Sequence, residues 1–168
     1  MTLTRESRRI AGLLLLSIVA IESGGYYMTR IVGGAVDVTD FQLGFSRAGH
    51  AHAGVLVTLS LIAIVFADAA DTALAAGRTG RSSGGGKAAT RMGPAGWVAR
   101  LGIPTAAILM PAGFFFSSMG AGRTEPNGLI VLLWLGAASL AAGVLTLGVR
   151  LLRSTRTTEK VPTRAVQR

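Results

Sequence analysis

Four apolar stretches, each about as long as a helix that crosses a lipid bilayer, constrain this chain more than any other feature. A helix rises about 1.5 Å per residue, so roughly 20 apolar residues span a hydrocarbon core about 30 Å thick. The stretches cover residues 10–28, 50–67, 97–116 and 128–152. Of the 168 residues, 50% are hydrophobic and 15% are charged, well below the roughly one quarter usual in soluble domains. The sequence therefore predicts an all-α integral membrane protein, a bundle of four transmembrane helices.

Two polar segments complete the predicted organisation. Residues 76–95 are rich in Gly, Ser and Arg, a composition typical of a flexible, solvated loop. Residues 153–168 form a basic tail whose composition predicts disorder. We therefore expect a four-helix membrane domain over residues 1–152, with the loop inside it and the tail after it.

The basic residues predict how the chain is oriented. The chain carries 17 Lys and Arg against 8 Asp and Glu, a formal charge of +9. Most of these cations precede the first stretch, separate the second from the third, or follow the fourth. Because cytoplasmic loops carry the excess of Lys and Arg, both termini are expected in the cytoplasm, with the helices in the inner (plasma) membrane. Orientation and anionic membrane lipid account for the charge, so nucleic-acid binding has no separate support.

The only two histidines lie together, in Arg47-Ala48-Gly49-His50-Ala51-His52-Ala53-Gly54. The chain has no Cys, so a metal would have to be held by His, Met or oxygen ligands, of which imidazole is the commonest. At about 100° per residue, His50 and His52 point roughly 200° apart and cannot readily bind one metal from the same face. We expect His52, the deeper of the two, to be the ligand and His50 to lie at the interface or against a neighbouring subunit. The alternative is an interfacial pair that only forms hydrogen bonds.

Glu22 is the only carboxylate inside an apolar stretch. An unpaired ionised group near the middle of a membrane costs roughly several kcal/mol, so Glu22 would be protonated there or would face a polar cavity. In that interpretation it is a proton site or the acid of a pocket. In the alternative interpretation the helix ends early, Glu22 lies at the far interface and Gly24-Gly25 forms a turn.

Two further groups of residues are candidates for a pocket. Phe114, Phe115 and Phe116 are suited to line an apolar pocket or contact a porphyrin, although such residues more often only pack. Thr58 offers a hydroxyl donor, although hydroxyls in membrane helices usually bond to the preceding turn.

Short motifs follow one another along most of the chain: Ile10-Ala11-Gly12, Val32-Gly33-Gly34, Ala51-His52-Ala53-Gly54, Phe66-Ala67-Asp68, Gly113-Phe114, Ser154-Thr155-Arg156 and Lys160-Val161-Pro162. In their order, their spacing and the similar total length, they resemble the styrene oxide isomerase family of four-helix membrane proteins, which bind haem b. Hydroxylaminobenzene mutase is a more distant resemblance.

The resemblance implies a haem b whose axial ligand is His52, so that ferric iron acts as a Lewis acid, opens an epoxide and yields an aldehyde. Arg47, near the same membrane face, would pair with a haem propionate. A small apolar substrate would lie in a pocket lined by Phe114, Phe115 and Thr58, and the chain would form a homo-oligomer. Two positions depart from the family, because Thr58 replaces an asparagine and Phe115 replaces a tyrosine.

Two other functions fit the same residues. A proton-coupled small transporter would use Glu22. The second alternative is a non-catalytic accessory subunit of a respiratory or other membrane complex. A haem absorption band that depends on His52 and not on Glu22 would favour a haem protein over the transporter. Haem without aldehyde formation from epoxides would favour the accessory subunit or an enzyme of unknown activity.

Overall fold

The computed structural model describes residues 3–79 and 93–158, and these residues form four α-helices and no strand. The helices are α1 (Arg5–Val32), α2 (Asp40–Thr79), α3 (Pro94–Ser117) and α4 (Val131–Thr158), with a short 3-10 helix (Gly128–Ile130) leading into α4. Each α-helix is long and apolar enough to cross a membrane. The predicted all-α, four-helix, multi-pass membrane architecture is therefore confirmed.

Helix α2 extends far beyond the apolar stretch at residues 50–67. Its 40 residues measure about 60 Å, roughly twice the thickness of a hydrocarbon core. At its start, the N–H of Gln42 donates to the Thr39 hydroxyl at 3.2 Å, and the N–H of Thr39 donates to the Gln42 side chain at 3.1 Å. This reciprocal capping box begins the helix ten residues before His50. The apolar pattern alone did not reveal it.

The predicted loop and tail fall largely outside the described residues. Of the loop over residues 76–95, residues 80–92 are not described, and residues 76–79 belong to α2. Residues 153–158, predicted to lie in the tail, instead continue α4. Because no Gly or Pro interrupts the chain there, the helix has no local reason to end at Leu152. The rest of the tail lies outside the described residues.

Glycines bring α3 and α4 into backbone contact along most of their lengths. A Cβ atom on Gly102 would lie 2.6 Å from the Cα of Gly143, and one on Gly136 would lie 2.8 Å from the backbone nitrogen of Met110. The Ser139 hydroxyl also donates to the carbonyl of Gly102 at 2.9 Å. Small residues allow such an approach between membrane helices, and nothing larger than glycine fits at these positions.

Four charged side chains lie together where α2, α3 and α4 meet, and we call them the ionic cluster: Asp68, Asp71, Arg100 and Arg150. Arg100 pairs with Asp68 and, at 3.1 Å from Nη2 to Oδ2, with Asp71, which also pairs with Arg150. Arg100 is only 1% exposed. Two cations balance two anions, and this pairing offsets the cost of removing each charge from water.

Helix α1 reaches the ionic cluster through uncharged groups. The N–H of Thr4 donates to Oδ2 of Asp68 at 2.9 Å, and the Ser7 hydroxyl donates to Oδ1 at 3.0 Å. Thr4 also caps α1, since its hydroxyl oxygen accepts a hydrogen bond from the N–H of Ser7. The ionic cluster therefore connects all four helices at one end of the bundle. We call the opposite end, with the α1–α2 and α3–α4 connections, the far end.

Between these two ends, α1 packs loosely. It packs against α2 but makes no extended contact with α3 or α4. Its buried residues are Ser7 beside the ionic cluster, Leu14, and Ile31 near the far end. A gap therefore remains among α1, α2 and α3.

The α3–α4 contact gives a first prediction. Gly143→Leu should lower the free energy of unfolding by about 1–3 kcal/mol, because the new side chain would collide with the backbone of α3. Gly148→Leu on the same helix is the matched control, since nothing lies within 4 Å of a Cβ atom there. SDS-induced unfolding of the detergent-solubilised protein measures both. Equal stabilities of the two variants would contradict the backbone contact.

The ionic cluster gives a second prediction. Asp68→Ala leaves the buried Arg100 without one of its carboxylates and should destabilise the protein by about 3–5 kcal/mol. Asp37→Ala, at an exposed carboxylate, should leave the stability nearly unchanged. The double variant Asp68→Leu/Arg100→Met should recover much of the loss, because it removes both buried charges. A double variant less stable than Asp68→Ala would argue against this role of the pair.

Candidate functional site

A cavity of about 810 Å³ lies in the gap among α1, α2 and α3. Its volume is within the range of about 300–1,000 Å³ typical of small-molecule sites. Its wall is almost entirely apolar. Leu13 on α1 and Ile108 on α3 line it and are 69% and 67% exposed, so the cavity opens sideways between these two helices. In a membrane, this opening faces the lipid.

Three polar side chains line the cavity toward the far end: Tyr27 on α1, and Ser46 and His50 one turn apart on α2. None of them makes a hydrogen bond to another described residue. Two other hydroxyls in the wall do have partners, since Ser17 and Ser23 each donate to a carbonyl one turn earlier in α1. The three polar groups are therefore available to a bound molecule.

Two glycines of α1 make room for the His50 ring. A Cβ atom on Gly25 would lie 3.2 Å from Cε1 of His50, and one on Gly24 would lie 3.6 Å from Nδ1. Both glycines lie inside the continuous helix α1. The interpretation in which α1 ends in a turn at Gly24-Gly25 is therefore wrong. A Cβ atom would be in ordinary contact with the imidazole at Gly24 and would be tight against it at Gly25, so the imidazole packs close to the α1 backbone.

His52 lies on a different side of α2. Its Nδ1 is 2.8 Å from the carbonyl of Ala48, and because a carbonyl only accepts, Nδ1 carries the proton. Its ring contacts Phe114, with 5.0 Å between centroids, and His52 is not part of the cavity wall. The two histidines therefore face different sides of the helix, as their spacing predicts. In the neutral imidazole, a proton on Nδ1 makes Nε2 the nitrogen that carries the lone pair.

An aromatic row leads along α2 to His52. Phe41 and Phe45 are one turn apart with ring centroids 4.2 Å apart, and Phe45 meets Phe114 edge to face at 5.4 Å. Phe114 in turn contacts His52. Sequence analysis named Phe114 but missed Phe41 and Phe45, although their spacing of four residues places them on one face of a helix.

The other predicted pocket residues do not join His52. Thr58 is exposed, and its hydroxyl donates to the carbonyl of Gly54 at 3.0 Å, as hydroxyls in membrane helices usually do. Phe115 lines the cavity and meets Tyr27 edge to face at 6.3 Å. Within one chain, His52, Thr58 and Phe115 therefore do not form the single pocket predicted from the sequence. Helical geometry separates them, because the cavity lies on the α1 side of α2 and His52 does not.

The remaining candidates are at the surface. Arg47 is exposed near the start of α2. Glu22 is also exposed and does not line the large cavity, so its position gives no support to a pocket acid. Over residues 3–79 and 93–158 there is no group of three or more His, Cys, Asp or Glu side chains able to hold a metal ion.

A smaller cavity of about 320 Å³ adjoins the large one at the far end, and we call it the vestibule. Tyr27, Ser46 and Phe115 line both cavities. The Gln42 amide shapes the vestibule by donating to the carbonyls of Ser118 and Gly120 at 2.9 and 2.7 Å. The large cavity therefore leads past the Tyr27–Phe115 contact to a more polar space. No sequence motif indicated the vestibule, because its walls come from both connections at the far end.

The ionic cluster was not predicted from the sequence, where Asp68 is named only as part of the motif Phe66-Ala67-Asp68. The spacing of Asp68 and Asp71, three residues apart on one helix, was the available signal. Their partners could not be identified, because the arginines lie on two other helices.

Comparison with known proteins does not identify a family for this chain. No protein-family model, curated protein or solved structure matches it. The resemblance to the styrene oxide isomerase family therefore depends on the short motifs alone. Evidence for the function comes from the surroundings of His52 and from the cavity among α1, α2 and α3.

Proposed function

We propose that the protein is a membrane-bound haem b protein in which His52 is the axial ligand of the iron. The observation that carries the proposal is the hydrogen bond from Nδ1 of His52 to the carbonyl of Ala48. Histidines that bind metals are commonly held by such a bond, which fixes the ring and leaves Nε2 free to coordinate.

The surroundings of His52 fit a haem. A haem iron needs a single axial imidazole from the protein, so a cluster of several ligands is not required. The aromatic row that ends at Phe114 supplies apolar ring surface beside His52. Arg47 lies five residues before His52 and is exposed, available to pair with a propionate.

A second copy of the chain is part of the proposal. His52 lines neither the large cavity nor the vestibule, and in the proposal one chain supplies one wall of the haem site. Val55, one turn along α2, is 66% exposed and extends the apolar surface beside it. A neighbouring copy would cover the other face of the haem, and the protein would act as a homo-oligomer.

When bound, ferric haem would supply Lewis-acid chemistry, which the family resemblance connects with the opening of small apolar epoxides to aldehydes. In the proposal, His52 would hold the iron, Ala48 and Phe114 would orient the imidazole, and the apolar surface beside it would keep water away. We assign no catalytic role to Thr58 or Phe115, because neither lies beside His52 in the chain. The transporter that uses Glu22 and the accessory subunit are retained as outcomes of the test.

Absorption spectroscopy tests the haem proposal. We expect the detergent-solubilised protein, as purified or after reconstitution with hemin, to show a Soret band. The band should disappear in His52→Ala and persist in His50→Ala and in Glu22→Gln. A colourless protein after reconstitution, or a band lost in His50→Ala and kept in His52→Ala, would overturn the assignment.

The same samples test the reaction. The haem-loaded protein should convert styrene oxide to the aldehyde, and His52→Ala should not. Haem binding without aldehyde formation would support the haem site but contradict the isomerase activity. This result would favour the accessory subunit. Proton-coupled transport in a colourless protein that is lost in Glu22→Gln would favour the transporter.

The proposal includes an orientation with both termini in the cytoplasm and the bundle in the inner membrane. Because the chain has no Cys, single cysteines report the side of the membrane without background. Ala121→Cys at the far end should react with a membrane-impermeant maleimide added to intact spheroplasts. Thr155→Cys, equally exposed near the end of α4, should react only after permeabilisation. The reverse pattern would show that the orientation is inverted.

A further inference from the structure

We infer that the cavity among α1, α2 and α3 is a binding site for a single-chain lipid with an uncharged polar end, such as a long-chain alcohol. Its chain would lie in the cavity, and its polar end would lie between Tyr27, Ser46 and His50. This site is separate from the proposed haem site, because His52 faces a different side of α2.

The shape of the cavity favours a chain. Its wall on α1 runs from Ile10 to Met28, a helix length of about 27 Å, and on α3 from Leu101 to Phe116. A volume of about 810 Å³ drawn out over this length forms a narrow, elongated space. Such a space accepts an extended hydrocarbon better than a compact molecule. Its length is close to the thickness of a hydrocarbon core, so a single extended lipid chain, which spans about half of that core, fits within it.

The cavity is polar mainly at one end. Tyr27, Ser46 and His50 lack hydrogen-bond partners among the described residues, and the first two also line the vestibule. Thr105, on the exposed face of α3, is the other hydroxyl in the wall without a described partner, and it lies nearer the ionic cluster. An amphiphile with its polar end near His50 would offer hydrogen-bond partners to Tyr27, Ser46 and His50. It would also remain next to the more polar vestibule.

The charges around the cavity favour an uncharged end. Over residues 3–79 and 93–158, no Asp, Glu, Lys or Arg lines the cavity, and Asp37 is the charged side chain in the vestibule wall. A phosphate or carboxylate placed at the polar end would find no cation in either wall and would face Asp37. Because desolvating an unpaired anion is costly, a hydroxyl or carbonyl fits better than an ionised group.

Entry from the membrane follows from the sideways opening. Leu13 and Ile108, at the edges of α1 and α3, are exposed on the surface that the lipid would contact. A lipid chain can therefore enter between the two helices without passing through water.

Photolabelling of the full-length protein in phosphatidylcholine nanodiscs tests the inference. The probe is a C16 alcohol with a diazirine in its chain, and the labelled residues are mapped by mass spectrometry. We expect labelling on the cavity faces of α1 and α3. Ala53→Phe fills the cavity and should lower this labelling about tenfold, which corresponds to a loss of about 1.4 kcal/mol of binding free energy. Ala51→Phe, on the exposed side of α2, is the matched control and should leave it unchanged.

The polar end is tested by competition and by a second variant. Unlabelled hexadecanol should compete about 3- to 10-fold better than hexadecane, the advantage expected from a hydrogen bond, and His50→Ala should abolish this difference. Equal competition by the two compounds, or stronger competition by palmitate, would overturn the uncharged polar end.

Equal labelling of the cavity in Ala53→Phe and Ala51→Phe would overturn the site and identify the occupant as bulk lipid. Ala112→Phe fills the same cavity from α3 and replaces Ala53→Phe if the latter does not fold. Neither substitution should change the Soret band, because the haem proposal concerns another face of α2. The two proposals can therefore fail independently.

Discussion

The pairing of four charges inside an otherwise apolar bundle is the constraint on which the rest of the structure depends. Isolated charges would make the end of this bundle unstable in or near a membrane, whereas the ionic cluster balances Arg100 and Arg150 against Asp68 and Asp71. The pairing fixes α2, α3 and α4 relative to one another. Through Thr4 and Ser7 it also holds the start of α1.

The cavity exists because the helices are not held equally along their lengths. Gly102, Gly136 and Gly143 let α3 and α4 pack backbone to backbone, and this contact leaves no room for a ligand between them. Helix α1 has no comparable contact with α3. Small residues on its inner side, including Gly24 and Gly25, leave space that the His50 ring only partly fills. The large cavity is therefore beside the least tightly packed helix.

The two histidines are two residues apart on one helix, and this spacing places their side chains at two different sites. His50 faces the cavity without a described partner, and His52 is held by Ala48 and Phe114 on a different side of α2. A proposal in which both residues serve one ligand is therefore not compatible with a helical α2. The haem and lipid proposals use different imidazoles, different faces of the helix and different tests.

The four membrane helices could be predicted from the amino-acid sequence, because a segment of about 20 apolar residues has few alternatives to a helix in lipid. The divergence of His50 and His52 could also be predicted, since it follows from the local geometry of one helix. Which helices touch depends on the folded bundle, and so do the partners of Asp68, the separation of Phe115 from His52, and the cavity. These features join residues on different helices. Hydrophobic periodicity predicts which face of a helix is buried, but it does not predict which other helix packs against that face.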